Sequence, residues 1–320
     1  MLLPFLMATS PIVLSEFIYE SAPYPSCHAS TIAETRKGLL AAWFGGKHEG
    51  APDVAIYAAR RDKHGWTTPE KVADGDGHPC WNPVLFQPRK GPLLLFYKVA
   101  DLIQDWVGMM KTSPDGGVTW SAARPLPAGI LGPIKNKPIQ LTDGSILCGS
   151  SEEDGRWRVH FERTPDLGKS WSRTQAVNDI DIGAIQPSIL PCRNRELRAI
   201  GRTQQGRIFA IDSSDAGESW GPMRLLDVQN PNSGTDALRL KDGRYLLVYN
   251  DTIMSRSPLN VAISDDAEHW TRALDLETQP GEYSYPAVIQ TRDGKVHITY
   301  TWHRTHIRHV VLDPKLLIHS

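Results

Sequence analysis

One short motif recurs along this chain at intervals of about fifty residues. Three complete copies span residues 113–120, 164–171 and 213–220, a shortened copy spans 264–270, and an eroded copy spans 61–66. Their aspartates are separated by 53, 51, 49 and 51 residues: Asp62, Asp115, Asp166, Asp215 and Asp266. A regular spacing of this size is typical of an array of similar supersecondary units.

The complete motif reads Ser/Thr-x-Asp-x-Gly-x-x-Trp, and its chemistry is that of a tight turn followed by an anchor. Aspartate and serine side chains accept hydrogen bonds from nearby backbone amides, and glycine adopts a positive φ without steric cost. The tryptophan can then bury a large ring beside the turn. The motif therefore predicts the tip of a hairpin, with a structural role rather than a catalytic one.

A second periodic signal gives the number of repeated structural units. Five turn glycines and one Arg195-Glu196 pair each precede a short apolar run: Gly38, Gly91, Gly144, Gly243 and Gly294. Such turns between apolar runs are typical of hairpins. Six hairpins with outer strands predict an all-β fold, a six-bladed β-propeller of four-stranded blades, as a single domain over residues 1–320. The sixth unit lacks its own motif, so we expect residues 13–19 to close it beside residues 307–312.

Bulk composition excludes several classes of partner. The net charge is −1, so no overall field favours nucleic acid or an anionic membrane. No apolar run reaches the length of about 18 residues that a spanning helix needs. Residues 1–10 are apolar but lack a basic beginning, which argues against a signal peptide. The sequence gives no indication of an oligomeric state.

The four cysteines, Cys27, Cys80, Cys148 and Cys192, have neither metal-ligand spacing nor close pairing. We therefore expect reduced thiols, which favours the cytoplasm. No other metal-ligand motif is present, so we expect no metal and no cofactor.

Propeller topology predicts which residues surround the central channel. The innermost strands begin, and the second strands end, on the face opposite the hairpin turns. The candidates on or near this face are His28, Lys47, His78, Trp81, Asn82, Lys135, Lys137, Glu152, Arg202, Arg256, Tyr283, Tyr285 and Arg304. The excess of cationic and imidazole groups in a neutral protein predicts an anionic ligand, and arginine matches a carboxylate bidentately. The aromatic residues among them are suited to stacking on a sugar.

The repeated motif resembles the Asp-box (BNR) repeat of the sialidase-like β-propellers, and the resemblance covers nearly the whole chain. Those enzymes hold a substrate carboxylate with three arginines, attack with a glutamate-activated tyrosine, and use an aspartate as acid/base. The resemblance implies that Arg202 and Arg256 are the second and third arginines. It also implies that Tyr283, in Glu-Tyr-Ser, is the nucleophile, with Glu152 as its partner.

Two positions depart from the sialidase pattern. His28 stands ten residues before Gly38, where the family has its first arginine, and the acid/base region reads Asp74-Gly-Asp76-Gly-His78. A neutral histidine cannot replace a guanidinium fork, but it can accept a proton near neutral pH. Some related propellers use a histidine on uronic-acid glycans, including rhamnosyl-glucuronate linkages.

Three functions are compatible with these residues. The first is an exo-glycoside hydrolase for an acidic oligosaccharide or glycoconjugate, with Tyr283 attacking, Glu152 activating it, and His78 or Asp76 protonating the leaving group. The second is a polysaccharide lyase that eliminates across a uronate linkage, with His28 or Tyr283 as the base. The third is a propeller that binds glycans or proteins without catalysis.

Overall fold

The computed structural model describes residues 10–318, which form 25 strands in six antiparallel sheets. The sheets are the blades of a six-bladed β-propeller, numbered here in chain order, as the sequence predicted. The only helical segments in this range are two single turns, Ile103–Asp105 and Pro314–Leu316. Within the same residues, no helix is long and apolar enough to span a bilayer.

The first strand, β1 (Ile12–Phe17), belongs to the last blade. Blade 1 contains β2 (Ser26–Thr35), β3 (Gly38–Gly46), β4 (Ala55–Asp62), β5 (Gly65–Trp66) and β6 (Glu70–Ala73). Blade 2 contains β7 (Cys80–Phe86), β8 (Leu93–Val99), β9 (Val107–Ser113) and β10 (Arg124–Pro125). Blade 3 contains β11 (Ile139–Gln140), β12 (Ile146–Glu152), β13 (Arg158–Thr164) and β14 (Ser172–Arg173).

Blade 4 contains β15 (Ala184–Pro191), β16 (Leu197–Thr203), β17 (Arg207–Ser213) and β18 (Arg224–Gln229). Blade 5 contains β19 (Asp236–Arg239), β20 (Tyr245–Tyr249), β21 (Leu259–Ser264) and β22 (Thr271–Glu277). Blade 6 contains β23 (Tyr283–Gln290), β24 (Val296–Trp302), β25 (His306–Leu312) and β1. Apolar side chains of neighbouring blades pack together, so the core is divided among the blade interfaces.

The N-terminal strand closes the ring as expected. Strand β1 pairs antiparallel with β25, from Ile12 opposite Leu312 to Phe17 opposite Arg308. The carboxylate of Glu16 on β1 accepts hydrogen bonds from three side chains, Arg61 at 2.7 Å, Trp66 at 2.9 Å and His309 at 3.0 Å. Because these donors come from blades 1 and 6, Glu16 ties the first blade to the last.

The Asp boxes form the turns that their sequence predicts. In the first complete copy, Asp115 Oδ1 accepts from the amides of Val118 and Thr119, and Ser113 Oγ accepts from the amide of Gly117. Three further boxes are built the same way, around Asp166, Asp215 and Asp266. Each tryptophan packs against an apolar cluster, which confirms the structural role.

A feature that the sequence did not reveal is a repeated left-handed residue near the start of the innermost strands. Its φ is 57° at Ala29, 40° at Asn82, 64° at Lys135, 56° at Gln186 and 51° at Tyr285. In four blades the strand register shifts at this residue, as in a β-bulge. A β-bulge changes the direction in which the neighbouring side chains point. The bulges of these strands therefore affect which side chains point toward the propeller axis.

Candidate functional site

Five side chains from five blades meet on the propeller axis, and we call this group the axial mouth: His28, Lys135, Arg202, Arg256 and Tyr285. Tyr285 lies in the middle. Its hydroxyl accepts a hydrogen bond of 3.0 Å from Arg202 Nη2. The guanidinium carbons of Arg202 and Arg256 are 5.3 and 5.8 Å from its ring centroid, and Lys135 Nζ is 5.9 Å away. The His28 ring centroid is 4.1 Å from that of Tyr285.

Lys135 reaches across the axis from blade 3. Its ammonium group donates to the carbonyl of Thr235, at 2.6 Å, and to that of Pro286, so it links blades 3, 5 and 6. Gly234 makes room for this crossing, because a Cβ there would lie 3.3 Å from Lys135 Cε and 3.2 Å from the Tyr285 ring. Burial lowers the pKa of Lys135 to about 7, against the opposing attraction of Asp236.

His28 is buried, with 1% of its surface exposed. Its Nδ1 is 3.0 Å from the hydroxyl oxygen of Thr301. Burial, followed by repulsion from Arg304 and Arg256, holds the pKa of His28 well below its ordinary value. The imidazole is therefore neutral at neutral pH, with one ring nitrogen unprotonated.

The positive charges of the mouth are only partly balanced. Glu282 accepts from Arg256 Nη1 at 2.9 Å and from Arg304 Nε at 2.6 Å. Burial alone would raise the pKa of Glu282, but these two arginines more than reverse the effect and lower it. Within residues 10–318, no carboxylate forms an ion pair with Arg202 or Lys135, whose described acceptors are backbone carbonyls and the Tyr285 phenol.

Tyr283 is not part of this group. Its hydroxyl lies 3.4 Å from His303 Nε2, and its ring packs in the apolar cluster of blades 5 and 6. Among the described contacts, none joins it to Arg202 or to the guanidinium group of Arg256. The expected Tyr283–Glu152 pair does not form either, because Glu152 is exposed and bound to Arg173 Nη2 at 2.9 Å. The bulge at Tyr285 places that ring on the axis instead.

Glu153 is a site residue that the sequence reasoning missed. Its Oε1 accepts from Gln186 Nε2 at 2.9 Å and from Ser151 Oγ at 3.1 Å. Burial raises the pKa of Glu153, and the attraction of Arg202 opposes that rise. Ser151 is buried and directed toward Gln186, so the two-residue period of a strand could have indicated that Glu153, not Glu152, faces the same side.

The remaining predicted residues fall into three groups. Lys137 and Trp81 have structural partners: Lys137 binds buried Asp236 at 2.9 Å, and the Trp81 indole donates to the carbonyl of Ala100 at 2.9 Å. Asn82 is buried at the left-handed position of blade 2. The exposed residues are Lys47 and His78, and His78 Nδ1 lies 2.9 Å from Asp101 Oδ1.

No group of three or more histidine, cysteine, aspartate or glutamate side chains is placed to hold a metal ion within the described part of the chain. The four cysteines are unpaired, and Cys27, Cys80 and Cys148 are buried. The mouth thus offers a phenol, an imidazole and basic side chains as its reactive groups, and the carboxyl group of Glu153 lies near Arg202.

Comparison with known proteins identifies the family. A family model described as a BNR repeat-like domain matches residues 37–298. The chain belongs to the BNR repeat-like domain family. This membership confirms the resemblance that the Asp boxes indicated. No curated protein sequence matches the chain.

Solved structures of BNR-type propellers share the fold at low sequence identity. A protein of unknown function from Dyadobacter fermentans is 18% identical, with 94% of this chain and 98% of that one covered and a TM-score of 0.79. The NanB sialidase from Streptococcus pneumoniae is 12% identical, with 97% and 71% covered and a TM-score of 0.78. A mutant Trypanosoma rangeli sialidase is 13% identical, with 97% and 60% covered and a TM-score of 0.74. At these identities the likeness shows the fold alone.

Proposed function

We propose that this BNR-family propeller is a carbohydrate-active enzyme that binds a carboxylate-bearing sugar in the axial mouth and hydrolyses its glycosidic bond. The observation that carries the proposal is the Arg202 guanidinium, which lies against Tyr285 beside the Lys135 amine and forms no ion pair with a carboxylate of the described residues. An unpaired buried charge is costly. An anionic ligand would supply the missing charge, and arginine is suited to a planar carboxylate.

In this reaction Tyr285 takes the role that the sequence assigned to Tyr283. Its phenolic oxygen attacks the anomeric carbon, and the hydrogen bond from Arg202 stabilises negative charge as the phenolic proton leaves. A phenol avoids placing a second carboxylate next to the acidic sugar, as in the sialidase exception to the two-carboxylate scheme.

The glycosidic bond to the leaving oxygen breaks as the bond to the tyrosine forms. Glu153, whose Oε1 is held by Gln186 and Ser151 and whose pKa is raised by desolvation, takes up the phenolic proton and passes it to the leaving oxygen. Water then attacks the anomeric carbon of the tyrosine-bound sugar, which breaks the bond to the tyrosine, releases the saturated sugar and returns a proton to the phenolate oxygen.

A second reaction, elimination on a uronate, is favoured by one specific observation. His28 is neutral, buried and in contact with the Tyr285 ring. A neutral imidazole could remove the proton next to the carboxylate while the arginines stabilise the resulting enolate-like charge. Tyr285 would then protonate the leaving oxygen. This route yields an unsaturated sugar, whereas hydrolysis yields a saturated one.

The test is calorimetry with acidic monosaccharides and their uncharged carboxamides, followed by digestion of acidic glycans. We expect Arg202→Gln to weaken binding of the carboxylate form at least tenfold, about 1.4 kcal/mol. Arg195→Gln, on an exposed turn at the opposite face, serves as the control and should bind normally. Equal affinity for an acidic monosaccharide and its carboxamide would refute the proposed carboxylate-binding site. Ultraviolet absorbance that rises during digestion would indicate elimination instead of hydrolysis. Binding without turnover would indicate a propeller that binds glycans without catalysis.

A further inference from the structure

A pocket of about 650 Å³ lies between the segment that follows β6 and strands β8 and β9, and we call it the acidic pocket. Its floor consists of four side chains: Tyr97 and Val99 on β8, and Val107 and Met109 on β9. Each of these residues pairs directly with one on the other strand, so all four lie on the same face of the sheet. None of the mouth residues lines this pocket. The acidic pocket therefore has a largely apolar floor of its own.

Four carboxylates form the rim of the acidic pocket: Asp74, Asp76, Asp101 and Asp105. The imidazole of His78 lines the same rim, and all five residues are exposed. Two of the carboxylates have a basic neighbour. Lys71 Nζ is 3.0 Å from Asp74 Oδ2. His78 Nδ1 is 2.9 Å from Asp101 Oδ1.

The other two carboxylates, those of Asp76 and Asp105, form no ion pair within residues 10–318. The ammonium group of Lys111 lies near the rim but donates to a backbone carbonyl. Even when Lys71, Lys111 and a protonated His78 are counted, the four carboxylates leave the rim negative. A negative rim attracts cations and repels anions. The acidic pocket and the axial mouth therefore favour ligands of opposite charge.

The hydroxyl group of Tyr97 lacks a partner. Tyr97 is 0% exposed, and its hydroxyl forms no hydrogen bond within the described part of the chain. Burial raises the pKa of Tyr97, and the negative charge of Asp74 adds to the effect. The phenol is therefore neutral, and its oxygen can accept a hydrogen bond. Because a buried hydroxyl without a partner is costly, a ligand that donates to this oxygen gains a contact that the protein itself does not supply.

Floor and rim together indicate the chemical class of the ligand. A space with apolar walls and a few polar groups is typical of a small-molecule site. The rim carboxylates are too dispersed for a metal ion, since no group of three or more is placed to hold one within residues 10–318. A cation that is larger than a metal ion and carries an apolar part fits both surfaces.

We propose that the acidic pocket binds a small organic amine, in which a protonated amino group is attached to an apolar group. The ammonium group lies between the rim carboxylates and the hydroxyl oxygen of Tyr97, to which it donates. The apolar group covers Val99 and Met109 on the floor. This site does not depend on the reaction proposed at the mouth.

The experiment compares two probes of nearly the same shape. Benzylamine carries an ammonium group at neutral pH, and benzyl alcohol carries a neutral hydroxyl in its place. Saturation-transfer NMR titrations would give both affinities for the full chain as wild type, Tyr97→Phe and Asp105→Asn. Asp227→Asn, whose side chain is fully exposed on β18, is the matched control. We expect wild type and the control to bind benzylamine at least tenfold more tightly than benzyl alcohol, and each pocket variant to bind benzylamine at least threefold more weakly.

Urea denaturation checks that the variants fold. Tyr97→Phe should be at least as stable as wild type, because it removes a hydroxyl that has no partner. A loss of stability in Tyr97→Phe would overturn the role of that hydroxyl, and Asp105→Asn would still test the rim. Absence of benzylamine binding by wild type, equal affinity for the two probes, or equal benzylamine binding by all four proteins would overturn the proposal.

Discussion

Because Glu16 ties the first blade to the last, we expect the protein to lose stability when the charge of the Glu16 side chain is removed. Burial alone would raise the pKa of Glu16, but hydrogen bonds from His309 and Arg61 more than offset it and lower the pKa from 4.5 to about 2. That change of roughly 2.5 pH units corresponds to about 3 kcal/mol, at about 1.36 kcal/mol per unit. The Glu16 side chain is partly exposed, at 27%, so solvent screening reduces this figure. We therefore expect Glu16→Gln to reduce the free energy of unfolding by roughly 2–3 kcal/mol at pH 7.

Urea denaturation of the full chain would measure this loss, with Glu70→Gln on exposed β6 as the control. Because folding lowers the pKa of Glu16, its stabilising contribution is complete above about pH 4.5 and is lost as the pH falls toward 2. The difference between wild type and Glu16→Gln should shrink over that window. Equal stability of the two proteins at pH 7 would refute the idea that Glu16 holds the ring closed.

Three other substitutions test the site, the axis and the acid response. Tyr285→Phe should lower kcat on an acidic glycan at least a hundredfold, and Tyr283→Phe less than tenfold; the reverse order would return the nucleophile role to Tyr283. Asp236→Asn should cost roughly 3–5 kcal/mol in urea denaturation because it removes the buried carboxylate that pairs with Lys137 and accepts from the Val288 amide, whereas exposed Asp227→Asn should cost almost nothing. Burial, and then a second histidine, lower the pKa of His297 from 6.5 to about 4, so stability should fall as the pH drops through that range. His297→Gln should flatten this part of the pH–stability curve, and an unchanged slope would assign it to other groups.

The fold was predictable because its signals are local. Each Asp box reports its own turn, as the bonds from the amides of Val118 and Thr119 to Asp115 illustrate. Counting such turns was enough to predict six blades. The closing strand could be placed because the sixth unit lacked an outer strand and residues 13–19 were left over, and β1 indeed pairs with β25.

The candidate site was predictable only in part. Arg202, Arg256 and Lys135 meet at the axis, as the strand-end reasoning indicated. The same reasoning listed Tyr285 as a channel residue, but the resemblance assigned the nucleophile role to Tyr283, and Glu152 was selected in place of its neighbour Glu153. A left-handed residue in the strand changes which side chain points inward, and a tyrosine with a φ of 51° cannot be anticipated from its sequence neighbours.

The chain's sequence alone determined how many blades form and where each turn lies, because aspartate, serine and glycine act on the backbone within a few residues. Only the tertiary structure decided that Tyr285 rather than Tyr283 contacts Arg202, that Glu153 rather than Glu152 binds Gln186, and that Arg202 and Lys135 lack carboxylate partners in the described residues. Those outcomes depend on bulges and on contacts between blades far apart in sequence. The charge balance of a buried site depends on side chains from several blades, so it cannot be predicted from the sequence of a single repeat.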